Sequence, residues 1–414
     1  MASFTFVCNE CGARLAERDV RYVCPACAAT QETGAPTRGV LRVELDEAPR
    51  RWPEAQLHSP EALAEFLPSH AAFIPPLPVG DTPLMSAPRL RRELGMRRLW
   101  LKDDSRNPSG STKDRASLLV VAKALEYGCD TVATASTGNA ASALAAVAAA
   151  AAMRAVVFVP ASAPQAKLVQ MAAYGAHVVP VTGSYDQAFE LSLAACERFG
   201  WYNRNTAFNP FTIEGKKTAA LEIAAALAPE VPDAVLVPTG DGVIVAGIAK
   251  GFSDLARGGL IARVPRLIAV QPEGSAAIAR ALRDGAAEVT PVPGAHSVAD
   301  SLVVSAPRNA ILALREVRAS GGTGVIVSDE VIVTAIARLA AATGVFAEPA
   351  AAAVLAGLEA ALEEGLIGRD ERVVLLVTGS GLKDVMAAAR AVRIPEPVAA
   401  DLDAVAERLG SHGI

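Results

Sequence analysis

The sequence predicts an α/β protein built from two parallel-sheet domains. Short apolar strands alternate with helix-length segments along most of the chain, as at 131–135 and 155–159 with the helices that follow them. Near-continuous apolar strands are typical of parallel sheets that helices cover on both faces. A length of 414 residues exceeds one ordinary hydrophobic core, so we expect two domains and an appendage.

The composition argues against several classes of function. The chain is 51% hydrophobic and 20% charged, as in globular proteins, and its net charge of −5 gives no electrostatic reason to expect nucleic acid or an anionic membrane as a partner. The first residues lack a basic stretch followed by an apolar run, so we expect no signal peptide and a cytoplasmic location. The five histidines are scattered and no Gly-x-Ser-x-Gly motif occurs, which leaves a hydrolase triad without support.

Two Cys-x2-Cys pairs lie near the amino end, Cys8 with Cys11 and Cys24 with Cys27. Their spacing suits a zinc ribbon, in which four thiolates bind one structural zinc ion, and we assign residues 1–38 to it. Disulfides are the competing interpretation, but they are not expected in a cytoplasmic chain. A ribbon that no longer binds metal is the other alternative.

A turn segment joins a strand-like run at 99–102 to a helix at 116–127, and Ser111 or Thr112 can cap that helix. Lys113 then stands at a helix start, where the dipole disfavours a cation. The same field favours the neutral amine, which condenses with aldehydes. The chain has only eight lysines against thirty-one arginines, which makes Lys113 a candidate for Schiff-base chemistry. The alternative is a solvated lysine beside two acidic residues.

The strand at 131–135 runs into Ser136-Thr137-Gly138-Asn139 and then into a helix at 140–152. Backbone N–H groups at such a helix start can bind an anion. On these residues alone, a plain capped turn is the favoured alternative. Because further strand–helix units follow, we expect a small domain at 126–205, a large domain of 39–125 and 206–395, and a tail at 396–414.

The strand at 234–238 ends in Thr239-Gly240-Asp241-Gly242-Val243-Ile244, before another helix. This is not a dinucleotide-binding fingerprint, because residue 245 is valine, and not a Walker A loop, because Ile248 stands where lysine is needed. A glycine loop at a helix N-terminus still suits a phosphate bound by backbone N–H groups. We expect the carboxylate of Asp241 to point away from that anion.

Taken together, these segments resemble threonine synthases and their relatives among the fold-type II pyridoxal-phosphate enzymes. The resemblance covers roughly residues 75 to 390, and its further motifs are Gly80-Asp81-Thr82-Pro83-Leu84, Asn209 to Thr218, Gly344 to Ala350 and Thr378 to Asp384. It implies a cofactor cleft between the two sheet domains.

The resemblance also implies roles for individual residues. Lys113 carries the cofactor, and the Ser136–Asn139 turn binds the substrate carboxylate, with Asn139 against the cofactor's ring hydroxyl. The loop at 240–244 binds the cofactor phosphate. A hydroxyl group at the pyridine nitrogen is assigned to Thr378, with Ser380 as the second choice.

One position departs from the family pattern. Where threonine synthases commonly carry an arginine that binds the substrate phosphate, this chain has Thr212, which removes a bidentate phosphate partner. Either Lys216 or Lys217 replaces that charge, and we assign Lys217 to the substrate site, or the substrate carries no phosphate.

The resemblance implies a pyridoxal-phosphate-dependent lyase that converts O-phospho-L-homoserine and water into L-threonine and phosphate by γ-elimination and β-addition. The alternative is a β-elimination or β-replacement enzyme acting on serine, threonine or a substituted alanine, such as a dehydratase or a cysteate synthase-like enzyme. A silent binding protein whose ribbon recruits a partner is a different class. We expect structural zinc beside pyridoxal phosphate, a small amino-acid substrate and a homodimer, with no nucleic-acid or membrane partner.

Overall fold

The computed structural model describes residues 3–32, 35–53, 57, 59–161, 163, 165–183 and 185–410. The strands are β1 Phe4–Cys8, β2 Arg14–Leu15, β3 Leu41–Leu45, β4 Leu84–Ser86, β5 Arg98–Asp103, β6 Thr131–Ala135, β7 Arg154–Pro160, β8 His177–Val181, β9 Tyr202–Asn203, β10 Ala234–Pro238, β11 Arg266–Pro272, β12 Thr323–Val327 and β13 Arg372–Val377. The α-helices are α1 Pro25–Ala28, α2 Pro60–Phe66, α3 Pro88–Leu94, α4 Lys113–Glu126, α5 Asn139–Ala150, α6 Gln165–Ala173, α7 Tyr185–Phe199, α8 Phe211–Glu214, α9 Lys217–Leu227, α10 Val243–Arg257, α11 Ala277–Arg283, α12 Ala310–Ala319, α13 Asp329–Thr343, α14 Pro349–Glu363, α15 Val385–Ala389 and α16 Leu402–Gly410.

The larger of the two parallel sheets has six strands in the order β12-β11-β10-β13-β5-β4. All neighbours pair in parallel except β4, which runs antiparallel to β5 at one edge. Alternate residues of β10 enter two different hydrophobic clusters, Val235 and Val237 in one and Ala234 and Leu236 in the other. Because successive side chains of a strand point to opposite faces, this sheet is covered on both sides, as its apolar strands predict.

The smaller sheet has four parallel strands in the order β8-β7-β6-β9. It is covered in the same way: Phe158 of β7 packs in a cluster with Phe189 of α7, whereas Val157 packs in a cluster with Ala141 of α5. The prediction of an α/β protein with two parallel-sheet layers is therefore confirmed, with one antiparallel strand at the edge of the larger sheet.

The cysteine-containing amino end forms a three-stranded antiparallel sheet in the order β2-β1-β3. Since β3 is Leu41–Leu45, this sheet extends past residue 38, and the domain boundaries stay a prediction. Phe6 of β1 is fully buried, and its ring lies 5.6 Å from that of Phe211 in α8. The amino-terminal sheet is thus packed onto the body of the protein.

The parallel strands place the predicted motifs together. Strands β5, β10 and β13 share one sheet and end directly before the lysine loop, the glycine loop and Thr378. Parallel strands present their carboxyl ends at a common edge, where open α/β sheets bind ligands. In the described part of the chain, no helix combines the length and apolar character that crossing a bilayer requires.

Candidate active site between the two parallel sheets

Lys113 is the first residue of α4, as the turn chemistry before it predicts. The preceding loop is fixed by Asp114, whose carboxylate accepts hydrogen bonds from the hydroxyl of Ser109 and, at 2.7 Å, from its backbone N–H. The N–H of Thr112 donates to the carbonyl of Thr378 at 2.9 Å, which ties the lysine loop to the end of β13. The side chain of Thr112 does not cap the helix.

The pKa of the Lys113 amine is lowered to about 8, first by burial and then by the positive charge of Arg204. The carboxylates of Asp241 and Glu348 act in the opposite direction. These charges come from separate segments of the chain, so the fold brings Arg204, Asp241 of the glycine loop and Glu348 close to the amine of Lys113. Near neutral pH a useful fraction of that amine is uncharged and nucleophilic.

The glycine loop begins α10 and is shaped by its neighbours. Gly242 has a φ of +86°, and a Cβ there would lie 2.7 Å from the Cβ of Ala313. Larger residues would therefore disturb the packing against α12 as well as the backbone. The carboxylate of Asp241 accepts a hydrogen bond from the N–H of Arg308 at 3.1 Å.

A phosphate fits this loop. Within the described residues, the backbone N–H groups of 240–245 have no hydrogen-bond acceptor. They point from the N-terminus of a fifteen-residue helix, where the dipole favours an anion. A Cβ on Gly240 would lie 3.2 Å from the carbonyl oxygen of Ser301, so glycine keeps this side of the loop open.

The Ser136–Asn139 turn lies at the start of α5 and contacts the segment around Glu348. The side-chain amide of Asn139 donates to both carboxylate oxygens of Glu348, at 2.9 and 3.0 Å. Glu348 is 4% exposed, and its backbone N–H donates to the carbonyl of Gly379. A Cβ on Gly379 would collide with the Glu348 carboxylate, which explains the glycine there. The Ser136–Asn139 turn, Glu348 and Gly379 are thus in direct contact and form one side of the site.

A cleft of about 550 Å³ lies between the two sheets. Gly138, Asn139 and Gln170 line it from the side of the smaller sheet, and Glu348 lines it from the other side. Among the described residues, its lining includes the Ser105–Gly110 segment that precedes Lys113, but neither Lys113 nor the glycine loop. The cleft therefore leads to the segment on which the lysine is mounted.

Lys383 bridges this cleft and was not assigned from the sequence. Its amine donates to the hydroxyl of Ser142 at 3.0 Å and to the amide oxygen of Gln170 at 2.7 Å. The Gln170 amide in turn donates to the carbonyl of Ser109 at 3.1 Å. Burial lowers the pKa of the Lys383 amine. The signal was present in the sequence, because Lys383 belongs to the Thr378–Asp384 motif.

Lys217, the lysine predicted for the substrate site, is not among the described residues that line the cleft. Its side chain is fully buried, and its ammonium group contacts the carboxylate of Glu214 and, at 3.0 Å, that of Asp254 in α10. These two partners use its charge inside the protein, so the structure does not bring Lys217 to the cleft. Lys216 instead donates to the carbonyl of Thr212 at 2.9 Å.

The four amino-terminal cysteines fit a metal. Their sulfur atoms all lie within 4.8 Å of one another, with Cys8 and Cys27 3.7 Å apart and Cys11 and Cys24 3.8 Å apart. A tetrahedral site with Zn–S bonds of about 2.3 Å has S···S edges of about 3.8 Å. The pairs that the sequence singles out thus converge with the spacing of a tetrahedral thiolate site.

Comparison with known proteins agrees with this geometry. The family described as pyridoxal-phosphate dependent enzymes matches residues 76–379. A threonine synthase of Methanosarcina acetivorans is 36% identical over 411 residues, which is 97% of this chain and 98% of that relative. A threonine synthase of Methanocaldococcus jannaschii is 36% identical over 404 residues, 96% and 97% of the two chains. The solved threonine deaminase isoform 2 of Solanum lycopersicum shares the fold, with a TM-score of 0.66 and 24% identity over 80% of this chain and 91% of its own.

The matched family and the convergence of the lysine and glycine loops define the class. The chain belongs to the family of pyridoxal-phosphate-dependent enzymes, and it has their fold type II. Within that class it is a threonine synthase-like lyase, because its threonine synthase relatives match it over almost the whole length. The predictions of family, cofactor class and general function are confirmed.

Proposed function

We propose that this chain converts O-phospho-L-homoserine and water into L-threonine and phosphate by γ-elimination and β-addition. The observation that carries the proposal is the setting of Lys113, whose amine has a pKa of about 8 and lies near the glycine loop and Glu348. The full-length similarity to threonine synthases supports this reaction over the others that the fold can accommodate.

We assign the cofactor to residues of this site. Lys113 would carry it, the N–H groups of Gly240–Ile244 would bind its phosphate, and the hydroxyl of Thr378 would serve its ring nitrogen. Asn139 serves the ring hydroxyl, and Glu348 orients its amide. When bound, pyridoxal phosphate supplies an electron sink for negative charge at the substrate Cα.

The chain's own residues then act on the substrate. The side chains of Ser136 and Thr137, with the N-terminus of α5, bind the substrate carboxylate. Lys113 accepts a proton from Cα and returns protons along the substrate, a task that suits an amine with a pKa of about 8 because it exchanges protons readily near neutral pH.

We also propose that Cys8, Cys11, Cys24 and Cys27 bind one zinc ion. Four sulfur ligands leave no open coordination position, so its role is structural. Their mutual distances of 3.7 and 3.8 Å support this assignment. Elemental analysis of the purified protein tests it.

A homodimer in the cytoplasm completes the proposal. Several large apolar side chains of the carboxyl-terminal segment are exposed, including Leu382, Met386, Ile394 and Leu402. A second copy covering them would remove apolar surface from water. Light scattering on the purified protein tests the assembly, and a monomer at micromolar concentration contradicts it.

An assay that compares two products tests the reaction. We expect phosphate release from O-phospho-L-homoserine with equimolar threonine, and little keto-acid release from serine or threonine. Thr212, which stands where the family commonly has arginine, favours the alternative of an unphosphorylated substrate. Keto-acid release without any phosphate release would establish that alternative, and the Lys113→Ala variant is the background control for both.

A further inference from the structure

The buried lysines of this protein differ in how their charges are satisfied. Lys102, Lys123 and Lys217 each have a carboxylate partner within salt-bridge distance, for example Glu222 at 2.5 Å from Lys102. Lys216 is 1% exposed, and among the described residues its amine has a single hydrogen bond, to the carbonyl of Thr212. In the described part of the chain, no carboxylate forms a salt bridge with it. A fully buried ammonium group without an anion is costly and calls for an explanation.

Lys216 lies beside the site. It directly precedes α9, and a Cβ on Gly247, in the second turn of α10, would be 2.7 Å from the Cβ of Lys216. Glycine therefore makes room for this lysine against the helix that the glycine loop begins. Its pKa is lowered well below the usual range by burial first and then by the charges of Lys113 and Arg204, with Asp241 acting oppositely. Lys216 is thus within electrostatic reach of the catalytic lysine.

Thr212 and Lys217 are the other candidates for binding a second anion, and both are already engaged by neighbouring groups. The hydroxyl of Thr212 donates to the carbonyl of Asn209, and the charge of Lys217 is used by Glu214 and Asp254. The N–H groups of the glycine loop are enough for one phosphate without a side-chain cation. The amine of Lys216 therefore remains available to a different anion, whose negative charge would favour the protonated form of the amine.

We propose that Lys216 binds the phosphate group of the substrate and so makes the site specific for O-phosphorylated amino acids. The inference rests on the proposed function. Its amine lies against the backbone of residue 212, so the positive charge missing at 212 is supplied one helical turn later. Binding of the substrate phosphate provides the counter-ion that the protein does not.

The holoenzyme and three variants test this assignment. Lys216→Met keeps the volume and removes the charge, and we expect the KM for O-phospho-L-homoserine to rise about tenfold to a hundredfold, or about 1.4 to 2.8 kcal/mol, with a smaller change in kcat. Lys216→Arg should restore most of the affinity. Lys250→Met is the matched control. Because Lys250 already pairs with Asp254 at 2.5 Å, this variant should leave the KM unchanged.

A binding measurement gives a second readout. Inorganic phosphate should raise the Tm of the wild-type and Lys250→Met holoenzymes. In Lys216→Met most of this rise should be absent, and without phosphate the Tm of Lys216→Met should not be lower than that of the wild type. If Lys216→Met leaves both the KM and the binding of inorganic phosphate unchanged, the inference is overturned. It is also overturned if Lys216→Met loses its bound pyridoxal phosphate while it still binds inorganic phosphate. Wild-type protein that releases no phosphate from O-phospho-L-homoserine refutes the proposed function, whereas Lys216-dependent phosphate binding is measured independently of turnover.

Discussion

Two groups of charged residues meet at α4, one around Arg115 and one around Lys113, and their charges are paired in opposite ways. Arg115 is fully buried between Asp104 at 2.8 Å and Glu222 at 2.5 Å, and Lys102 also pairs with Glu222. We call Lys102, Asp104, Arg115 and Glu222 the Arg115 cluster. Lys113, on the same helix, has no salt bridge to a carboxylate in the described residues, and neither has Lys216.

The difference separates structure from function. In the Arg115 cluster two cations meet two anions, and hydrogen bonds from Arg115 to Thr82 and Thr218 complete its pairing. At the lysine site, burial first and neighbouring cations second lower the pKa values of Lys113 and Lys216. Clustered titratable groups with perturbed pKa values are typical of functional sites, so a ligand is expected at the lysine site.

The largest effect is expected at Lys113. Lys113→Ala removes the amine that carries the cofactor and moves protons, and proton transfer alone accounts for about 10²- to 10⁴-fold in rate. Turnover of O-phospho-L-homoserine should fall at least that far, and borohydride should no longer fix the cofactor to the chain. Undiminished borohydride trapping in the variant would place the reactive lysine elsewhere.

Arg115 tests the other half of the comparison. Arg115→Leu leaves Asp104 and Glu222 buried without their main partner, so the free energy of unfolding should fall by about 3–5 kcal/mol. Chemical denaturation measures this, with Arg308→Leu as a control for removal of a partly buried arginine outside the cluster. A loss below about 1 kcal/mol would mean that the cluster is no more stabilising than a surface pair.

The same variant has a pH signature. Arg115 helps to hold the pKa of Asp104 at about 2, below its usual value of 3.8, against the effect of burial. A lowered carboxyl pKa stabilises the folded state above about pH 4, and this contribution is lost as the pH falls through about 2. Arg115→Leu should therefore begin to lose its Asp104 contribution at a higher pH than the wild type does.

Changes in the amino-terminal cysteine segment should affect the glycine loop more weakly, because hydrogen bonds connect the two. The N–H of Thr37, in the segment that follows the cysteines, donates to the carbonyl of Arg308 at 3.1 Å, and the N–H of Arg308 donates to Asp241 in the glycine loop. Cys24 is joined to this segment because its N–H donates to the carbonyl of Gly39 at 2.8 Å. The amino-terminal sheet and the glycine loop are thus linked by hydrogen bonds.

We therefore expect chelation of the proposed zinc ion, or Cys24→Ser, to weaken cofactor binding about threefold to tenfold, since each hydrogen bond contributes about 1 kcal/mol. Equilibrium dialysis of pyridoxal phosphate measures the change. Cys129→Ser, outside the four-cysteine group, is the control. Unchanged cofactor affinity after complete metal removal would show that the ribbon and the loop are independent.

Much of the fold could be predicted because its signals are local. The strands at Thr131–Ala135 and Ala234–Pro238 have the bounds that their apolar runs predict, and α4 begins where the turn before it ends. The four cysteines converge as their spacing predicts. In each case the information lies within one short stretch of the chain.

The sequence cannot decide those features that depend on where distant segments meet. Lys216 and Lys217 are adjacent in the sequence, and nothing local distinguishes them. Their difference comes from Asp254, thirty-seven residues beyond Lys217, whose carboxylate lies on the packed face of α10. The bridge from Lys383 to Gln170 spans 213 residues and likewise depends on how the two sheets are placed.

The smallest effect concerns the charge that Arg204 adds beside Lys113. Arg204 is the second cause, after burial, of the depressed pKa of the Lys113 amine. In the apoenzyme the neutral amine should capture pyridoxal phosphate, so the capture rate should rise with pH and level off above about 8. Arg204→Gln removes a cation, which favours the charged amine and raises its pKa towards 10.5, so the rise should move to higher pH. Stopped-flow absorbance measures the profile, and Arg263→Gln, a surface arginine paired with Asp233, is the control. An unmoved midpoint in a folded Arg204→Gln variant would show that burial alone sets the reactivity of Lys113.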